Sequence, residues 1–460
     1  MKKILVLFAA TLLMTSCGLY NKYERPDSVN TQGLVRDPFS AADTLAVNTD
    51  ENFGNLPWRE VFTDPQLQAL IEKALENNTD LRNAALNVKM MEDMLKVAKL
   101  AFLPSVAFAP QGSISKVMMD GASTTKAYTL PIAASWNVDL FGNILSQKRS
   151  AQMKLLATKD YQVAVKTNII CGVANLYYTL MMLDKQLEIV TDMSGLVKET
   201  WDMMKIQKDL GMMRSTGVQS AEANYYSVLA QQTDIKRQIR EMENSMSLLL
   251  NEAGHQIPRG SFDNQSLPSK FATGVGLQLL TNRADVHAAE MNLAQCFYDV
   301  ETARSRFYPN VTITGTAAFT NNNGMLNPGK WLLSALGSLT QPIFQHGQIV
   351  AGLKVAKAQQ EQAYNTWQNT VLKAGNEVSN ALVLYNASAE KSELEAKQVK
   401  ALEQNVEDTK LLYASKGSSY LEVIQAQSSL LSARISKVQD DFSKMQAVVN
   451  LYQALGGGNE

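Results

Sequence analysis

Cysteine and histidine are the side chains best suited to hold a metal or attack a substrate, and this sequence has three of each: Cys17, Cys171 and Cys296, and His255, His287 and His346. Their spacings match no metal-ligand pattern. No clustered acids and no glycine-rich phosphate loop accompany them, so nothing here reads as an enzyme or as a cofactor or metal site. Cys171 and Cys296 fall at different levels of two long helical patterns, roughly 20 Å apart along the axis, too far for a disulfide. They read as packed thiols. Cys17 stands apart. It follows Met1-Lys2-Lys3, an apolar run from Ile4 to Met14, and Thr15-Ser16. That order marks a secretory signal, and the run is too short to cross a bilayer as a helix. A cysteine directly after small residues resembles a bacterial lipobox, although Met14 stands where leucine is preferred. On this reading residues 1–16 are removed and Cys17 carries covalent lipid, diacylglycerol on sulfur and an N-acyl chain on the amine. A plain secretory signal with a chance cysteine is the alternative.

The elements that must carry such a chain are unusual. Apolar residues recur in steps of four and three through Ile169, Val173, Leu176, Leu180, Leu183, Leu187, Val190, Val197, Trp201 and Met204. This heptad spacing keeps a seam towards a partner helix. No proline occurs between Pro131 and Pro258, so one helix is expected from Ile144 to about Lys208, roughly 100 Å long at 1.5 Å per residue. A turn at Leu210 to Gly217 and a return helix through Val218, Tyr225, Ile235, Met246 and Leu249 complete an antiparallel pair. Charges balance, 43 basic against 44 acidic residues, and aromatic residues make up only 7% of the chain. Nothing points to nucleic acid.

Before the long helix the periodicity is two. Tyr128, Leu130, Ile132, Ala134, Trp136, Val138 and Leu140 alternate with polar or small residues, and Val106 to about Ile114 supplies the other half of a hairpin. A preceding helix from Pro65 to about Ala101 stops before Pro104, with a possible interruption at Asn77-Asn78. The plan then repeats about 205 residues later: a helix from Leu277 to Arg306, strands at Val311 to Thr320 and Trp331 to Ile343, a second rod from Ile349 to Tyr413, a turn at Lys416 to Ser419 and a return through Leu421 to Tyr452. The expected division is a signal at 1–16, a lipidated tether at 17–64, a first repeat at 65–254, a linker at 255–276 and a second repeat at 277–458.

Four alternating strands cannot close a barrel, and an open edge in lipid leaves backbone groups unpaired. Several chains must therefore combine, with the polar-surfaced long helices standing in water. The lipobox-like Cys17 with its Tyr23-Glu24-Arg25-Pro26 tether, the duplicated plan, Gly211 with Ala221-Glu222, the run Tyr420 to Gln427 and the ending Leu451 to Gly458 together resemble outer membrane efflux proteins, in the TolC-like lipoprotein branch. The turn before Tyr420 is one residue shorter than is usual in that family.

The resemblance implies a mainly α fold with a β-barrel portion, in which a homotrimer shares a twelve-stranded outer-membrane barrel and a periplasmic α-barrel. It implies a passive exit duct in the outer membrane of a Gram-negative bacterium, reaching into the periplasm towards an adaptor and an inner-membrane transporter. By family analogy Glu422, Gln425 and Tyr413 line the pore aperture, and the turns holding Gly211, Gly217, Gly417 and Ser418 meet the adaptor. A capping role for Glu422 with Ser419, repeated by Gln219 with Thr216, is the competing reading. A duct for protein secretion and a non-conducting trimeric coiled-coil scaffold remain open as alternatives. Intact-mass measurement of the purified chain is expected to find a mature protein beginning at a lipidated Cys17. A retained signal or an unmodified thiol overturns this.

Overall fold

In this computed structural model the described residues are 21–26, 53–116, 124–265, 283–321, 329–415 and 419–458. Cys17, Gly417 and Ser418 lie outside them. The chain divides into two units, and each draws segments from both halves of the sequence.

The first unit takes in residues 1–29, 86–160 and 287–369. Its centre is an antiparallel sheet of β1 (Ser105–Phe108), β2 (Gln111–Lys116), β3 (Thr124–Val138), β4 (Asn310–Asn321) and β5 (Lys330–Thr340), ordered β1-β3-β4-β5 with β2 also on β3. The single strand expected from Val106 to Ile114 is thus two. Phe108 faces Ile132 and Gln111 faces Thr129, which is one unbroken register, so the gap is local. Ala109 and Pro110 sit opposite Pro131 and Leu130 in that register, and two prolines without N–H groups remove the ladder bonds there. Only Ala109 N donates across the gap, to Pro131 O. Near the helices, residues 21–26 are not loose. Arg25 donates twice to Glu290 at 2.6 and 2.8 Å, and the Tyr298 hydroxyl accepts from Tyr23 N.

The second unit holds residues 30–85, 161–286 and 370–460. Two long helices enter both units: α3 (Asn143–Asp209) and α6 (Gln348–Ala414), each of 67 residues. Their return helices α4 (Ser215–Leu249) and α7 (Tyr420–Ala454) have 35 residues each. Every boundary in the second pair lies 205 residues beyond the first, so the duplication is exact at the level of helices. Helices α1 (Pro65–Asn77), α2 (Thr79–Leu100) and α5 (Ala284–Ser305) precede the strands. The break anticipated at Asn77-Asn78 occurs at Asn78, whose Oδ1 accepts from Asp80 N and Leu81 N while its Nδ2 donates to Leu249 O. A side-chain cap thereby replaces one turn of helix.

The heptad seam is the core. Val173, Leu180, Leu183 and Val190 of α3 are buried with Val228, Ile235 and Met246 of α4 and Val438, Val449 and Tyr452 of α7. Each such aliphatic side chain contributes about 1.5–3 kcal/mol on burial. The same cluster corrects the expected tether. Phe53, Trp58, Val61 and Phe62 are buried in it, so the chain joins the core some twelve residues before Pro65. The start of the expected linker is likewise fixed, with Ile257 and Phe262 buried and Arg259 paired to Asp184 at 2.5 Å and Glu243 at 2.8 Å.

Gly54 marks how closely this segment is held. A Cβ there would lie 2.5 Å from Leu455 O and 2.7 Å from Leu455 Cβ. Gly54→Ala is expected to destabilise the unit by about 1–3 kcal/mol, as overpacking against backbone does. A lowered thermal midpoint of the purified protein checks it, and an unchanged midpoint contradicts it.

Candidate functional site

Two regions carry the candidate residues, the sheet in the first unit and the turn ends of the helix pairs in the second. In the sheet, the register puts all facing residues on one of two surfaces. One surface holds Val106, Phe108, Leu130, Ile132, Trp136, Ile313, Phe319, Trp331, Leu333 and Leu339. All but the half-buried Phe319 are bare: Phe108 is 63% exposed and Leu333 79%. The other surface holds Ser105, Thr129, Ser135, Asn137, Thr312, Thr314, Ser334 and Ser338, with Leu332 and Leu336 as exceptions. Its polar groups bond to each other or to backbone: Thr312 to Asn137 at 2.8 Å, Thr129 with Thr320 at 3.4 Å, and Ser338 to Thr312 O at 3.3 Å.

A monomeric soluble protein seldom leaves so wide an apolar surface in water, whereas lipid takes it without cost. The aromatic residues reinforce this. Tyr128, Phe319 and Trp331 cluster at one end of the apolar surface, with centroids 6.4 and 5.7 Å apart. Trp136 lies eight residues from Tyr128 along β3, about 26 Å at 3.3 Å per residue. Its indole donates to Phe102 O at 2.9 Å. An aromatic cluster at one end and a tryptophan about 25 Å away along the strand suit the two interfaces of a membrane barrel.

At the turn end, α3 stops at Asp209 and Gly211 takes φ +75°. Met212 N donates to Gln207 O and Gly211 N to Lys208 O, the paired bonds of a Schellman cap. Glycine is needed at Gly211 for its backbone alone, because a Cβ there would touch nothing within 4 Å. Gly217 differs. It is buried in the first turn of α4, where a Cβ would stand 3.1 Å from Met213 Sδ and 3.4 Å from the Tyr420 ring. Gly217 therefore lets the starts of the two return helices approach.

Glu422 and Gln425 are both exposed on the first turns of α7, opposite the buried Val423, Ala426, Gln427 and Leu430. Ser419 is the N-cap, yet makes no side-chain bond to the helix backbone. Its hydroxyl instead donates to the Glu422 carboxylate at 3.2 Å. The expected capping box is not formed here, nor at Thr216. There the N-cap is Arg214 and Thr216 lies inside α4. The Tyr413 hydroxyl, half-buried, donates to Gln207 Oε1 and so ties α6 to α3.

Several partners escaped the pattern reading. Gln207 was one, because it lies off the seam. Gln427 was another: fully buried, it donates to Thr200 Oγ1 at 2.9 Å and links α7 to α3. Trp201 was assigned to the seam, but not its stacking on Tyr225 at 5.4 Å beneath the Lys205 ammonium, 3.2 Å from the ring. Cys171 is wholly buried and its thiol is pushed up to about 12 by that burial. Among the described residues no group of His, Cys, Asp and Glu is placed to hold a metal, and no helix is long and apolar enough to cross a membrane.

The family model of outer membrane efflux proteins matches residues 70–252 and 276–457, and the chain belongs to that family. Among its relatives, the cation efflux system protein CusC of Escherichia coli K12 is 26% identical over 454 residues, covering 98% of each chain. The probable outer membrane lipoprotein SilC of Salmonella typhimurium is 25% identical over 460 residues, covering 99% of this chain and 98% of its own. The open state of the MtrE outer membrane channel of Neisseria gonorrhoeae superposes with a TM-score of 0.83 at 25% identity, over 96% of this chain and 98% of that one. The protein is an outer membrane efflux channel with the TolC-like fold.

The two surfaces of the sheet give a direct contrast. Leu333 and Ser334 are neighbours on β5 that point to opposite sides. Leu333→Arg is expected to cost about 2–4 kcal/mol, the penalty for arginine near the middle of the bilayer, and to reduce assembled protein in the outer membrane. Ser334→Arg should leave assembly intact. Equal loss from both, measured in isolated membranes, contradicts the assignment of faces.

Proposed function

We propose that three copies of this chain form the exit duct of a tripartite efflux system. The observation that carries it is the sheet: one bare apolar surface, one hydroxyl-rich surface, and open edges at β1 with β2 and at β5. Edges left unpaired in lipid cost several kilocalories per mole per group, so the edge of one copy must meet that of the next. Four lines of strand per chain and three chains give twelve strands, with the hydroxyl-rich surface lining water. The number three follows the family resemblance; the need for closure follows from the edges.

In this reading lipid on Cys17 anchors the chain, supported by the signal before it and by a relative named as an outer membrane lipoprotein. The duct is passive and needs no cofactor. Cargo selection falls to an inner-membrane transporter, reached through a periplasmic adaptor at the turns containing Gly211, Gly217, Gly417 and Ser418. The Gly211 cap and the closeness at Gly217 give those turns a defined backbone, as a docking surface requires. Glu422, Gln425 and Tyr413 frame the aperture. Exposure of Glu422 and Gln425 on one side of α7 supports this, and three copies of Glu422 around a narrow mouth would attract cations.

Planar-bilayer recording of the purified full-length protein tests both levels. Conductance is expected, and its absence overturns the duct. Glu422→Gln should lower cation selectivity while leaving the thermal midpoint nearly unchanged, since the amide can still accept from Ser419. Unaltered selectivity removes Glu422 from the aperture without touching the duct itself.

A further inference from the structure

Away from the turn, α6 and α7 are joined by a polar cluster in the second unit. The carboxyl groups of Glu395 on α6 and Asp440 on α7 lie against each other. Glu395 Oε2 and Asp440 Oδ2 are both shut off from solvent, and neither meets an N–H or O–H donor. The other positions around them are occupied. Asp440 Oδ1 accepts from Lys391 Nζ at 2.8 Å, Asp441 Oδ1 from Ser392 Oγ at 2.5 Å, and Asp441 Oδ2 from Lys437 Nζ at 2.7 Å. Two ionised carboxylates can only accept, so their contact is repulsive unless one holds a hydrogen. The charge count agrees. Glu395, Asp440 and Asp441 carry three negative charges when ionised, against two positive charges on Lys391 and Lys437, and one proton brings the cluster to zero.

We propose that Glu395 retains a proton, shared by hydrogen bond with the Asp440 carboxylate, and that this proton clasps α6 to α7. The first repeat shows what the clasp replaces. Subtracting the 205-residue offset from Glu395 and Asp440 gives Val190 and Ile235, both buried in the apolar core between α3 and α4. The first helix pair is therefore fastened at this level by apolar contact at any pH, and only the second has a titratable fastening. Burial, then the Asp440 partner, hold the Glu395 carboxyl above the usual carboxylate range, while Lys391 pulls it down. A carboxyl raised in the folded state stabilises the fold fully below its unfolded value, and the stabilisation fades as pH rises through the raised folded value. Alkaline conditions therefore loosen α6 from α7, and acid fastens them. Because α7 is one helix from Tyr420 to Ala454, the same proton bears on the seating of Glu422 and Gln425. That last consequence rests on the duct reading; the shared proton does not.

Infrared difference spectroscopy of the purified full-length protein, titrated upwards from acid through and beyond the usual carboxylate range, reads the proton directly. One protonated carboxyl per chain is expected to disappear over that range in the wild type. It should be missing throughout in Glu395→Gln, whose amide still donates to Asp440, and in the double variant E395V/D440I, which installs the first repeat's pair. The thermal midpoint should fall with rising pH in the wild type and depend less on pH in both variants. If Glu395→Gln loses the same carboxyl signal as the wild type, the shared proton is overturned. A chain that shows the signal but fails to conduct would overturn the duct and leave the clasp standing.

Discussion

A backbone N–H or C=O in hydrocarbon must find a partner, and that requirement governs this protein. The chain contributes a sheet whose outer edges are open and whose one surface is covered by bare Phe108, Ile132, Trp331 and Leu333. In water that surface would aggregate, and in lipid the edges alone would be intolerable. Both difficulties vanish together only in a closed barrel, where edges pair and the apolar surface faces outward. The interruption at Ala109-Pro110 falls on an edge line, facing Pro131 across the ladder, where loss of a few bonds is least costly.

The helices solve a different problem, reach without a globular core. A seam with heptad spacing buries a continuous apolar line while its outer faces stay polar, so length costs no additional core volume. Duplication supplies the same solution twice, with helices of 67 and 35 residues in each half. Yet the halves are not chemically equal. Val190 against Ile235 in one becomes Glu395 against Asp440 in the other.

At the turns, two glycines answer to different backbone requirements. Gly211 is explained by its positive φ alone, whereas Gly217 is explained by the approach of Tyr420 and Met213. The two glycines are therefore unlike in what they tolerate, although both lie in the turns proposed to meet an adaptor.

The sequence by itself determined the elements. The helical pattern from Ile144 to about Lys208 set the long helix to within one residue at each end, alternation from Tyr128 to Leu140 located the central strand, which runs Thr124–Val138, and the 205-residue repeat set the plan, because each is a local periodicity imposed by backbone geometry. The proposal for Cys17 also rests on adjacent residues alone, the signal-like run before it. Only the tertiary structure brought Phe53, Trp58 and Phe62 into the core ahead of Pro65, joined Tyr413 to Gln207 and Gln427 to Thr200, and set the Glu395 carboxyl against Asp440. Those pairs are 45 to 227 residues apart in the chain and lie off any single repeating stripe. Their meeting is decided by how four helices pack side by side, a geometry that the periodicity of one helix does not contain.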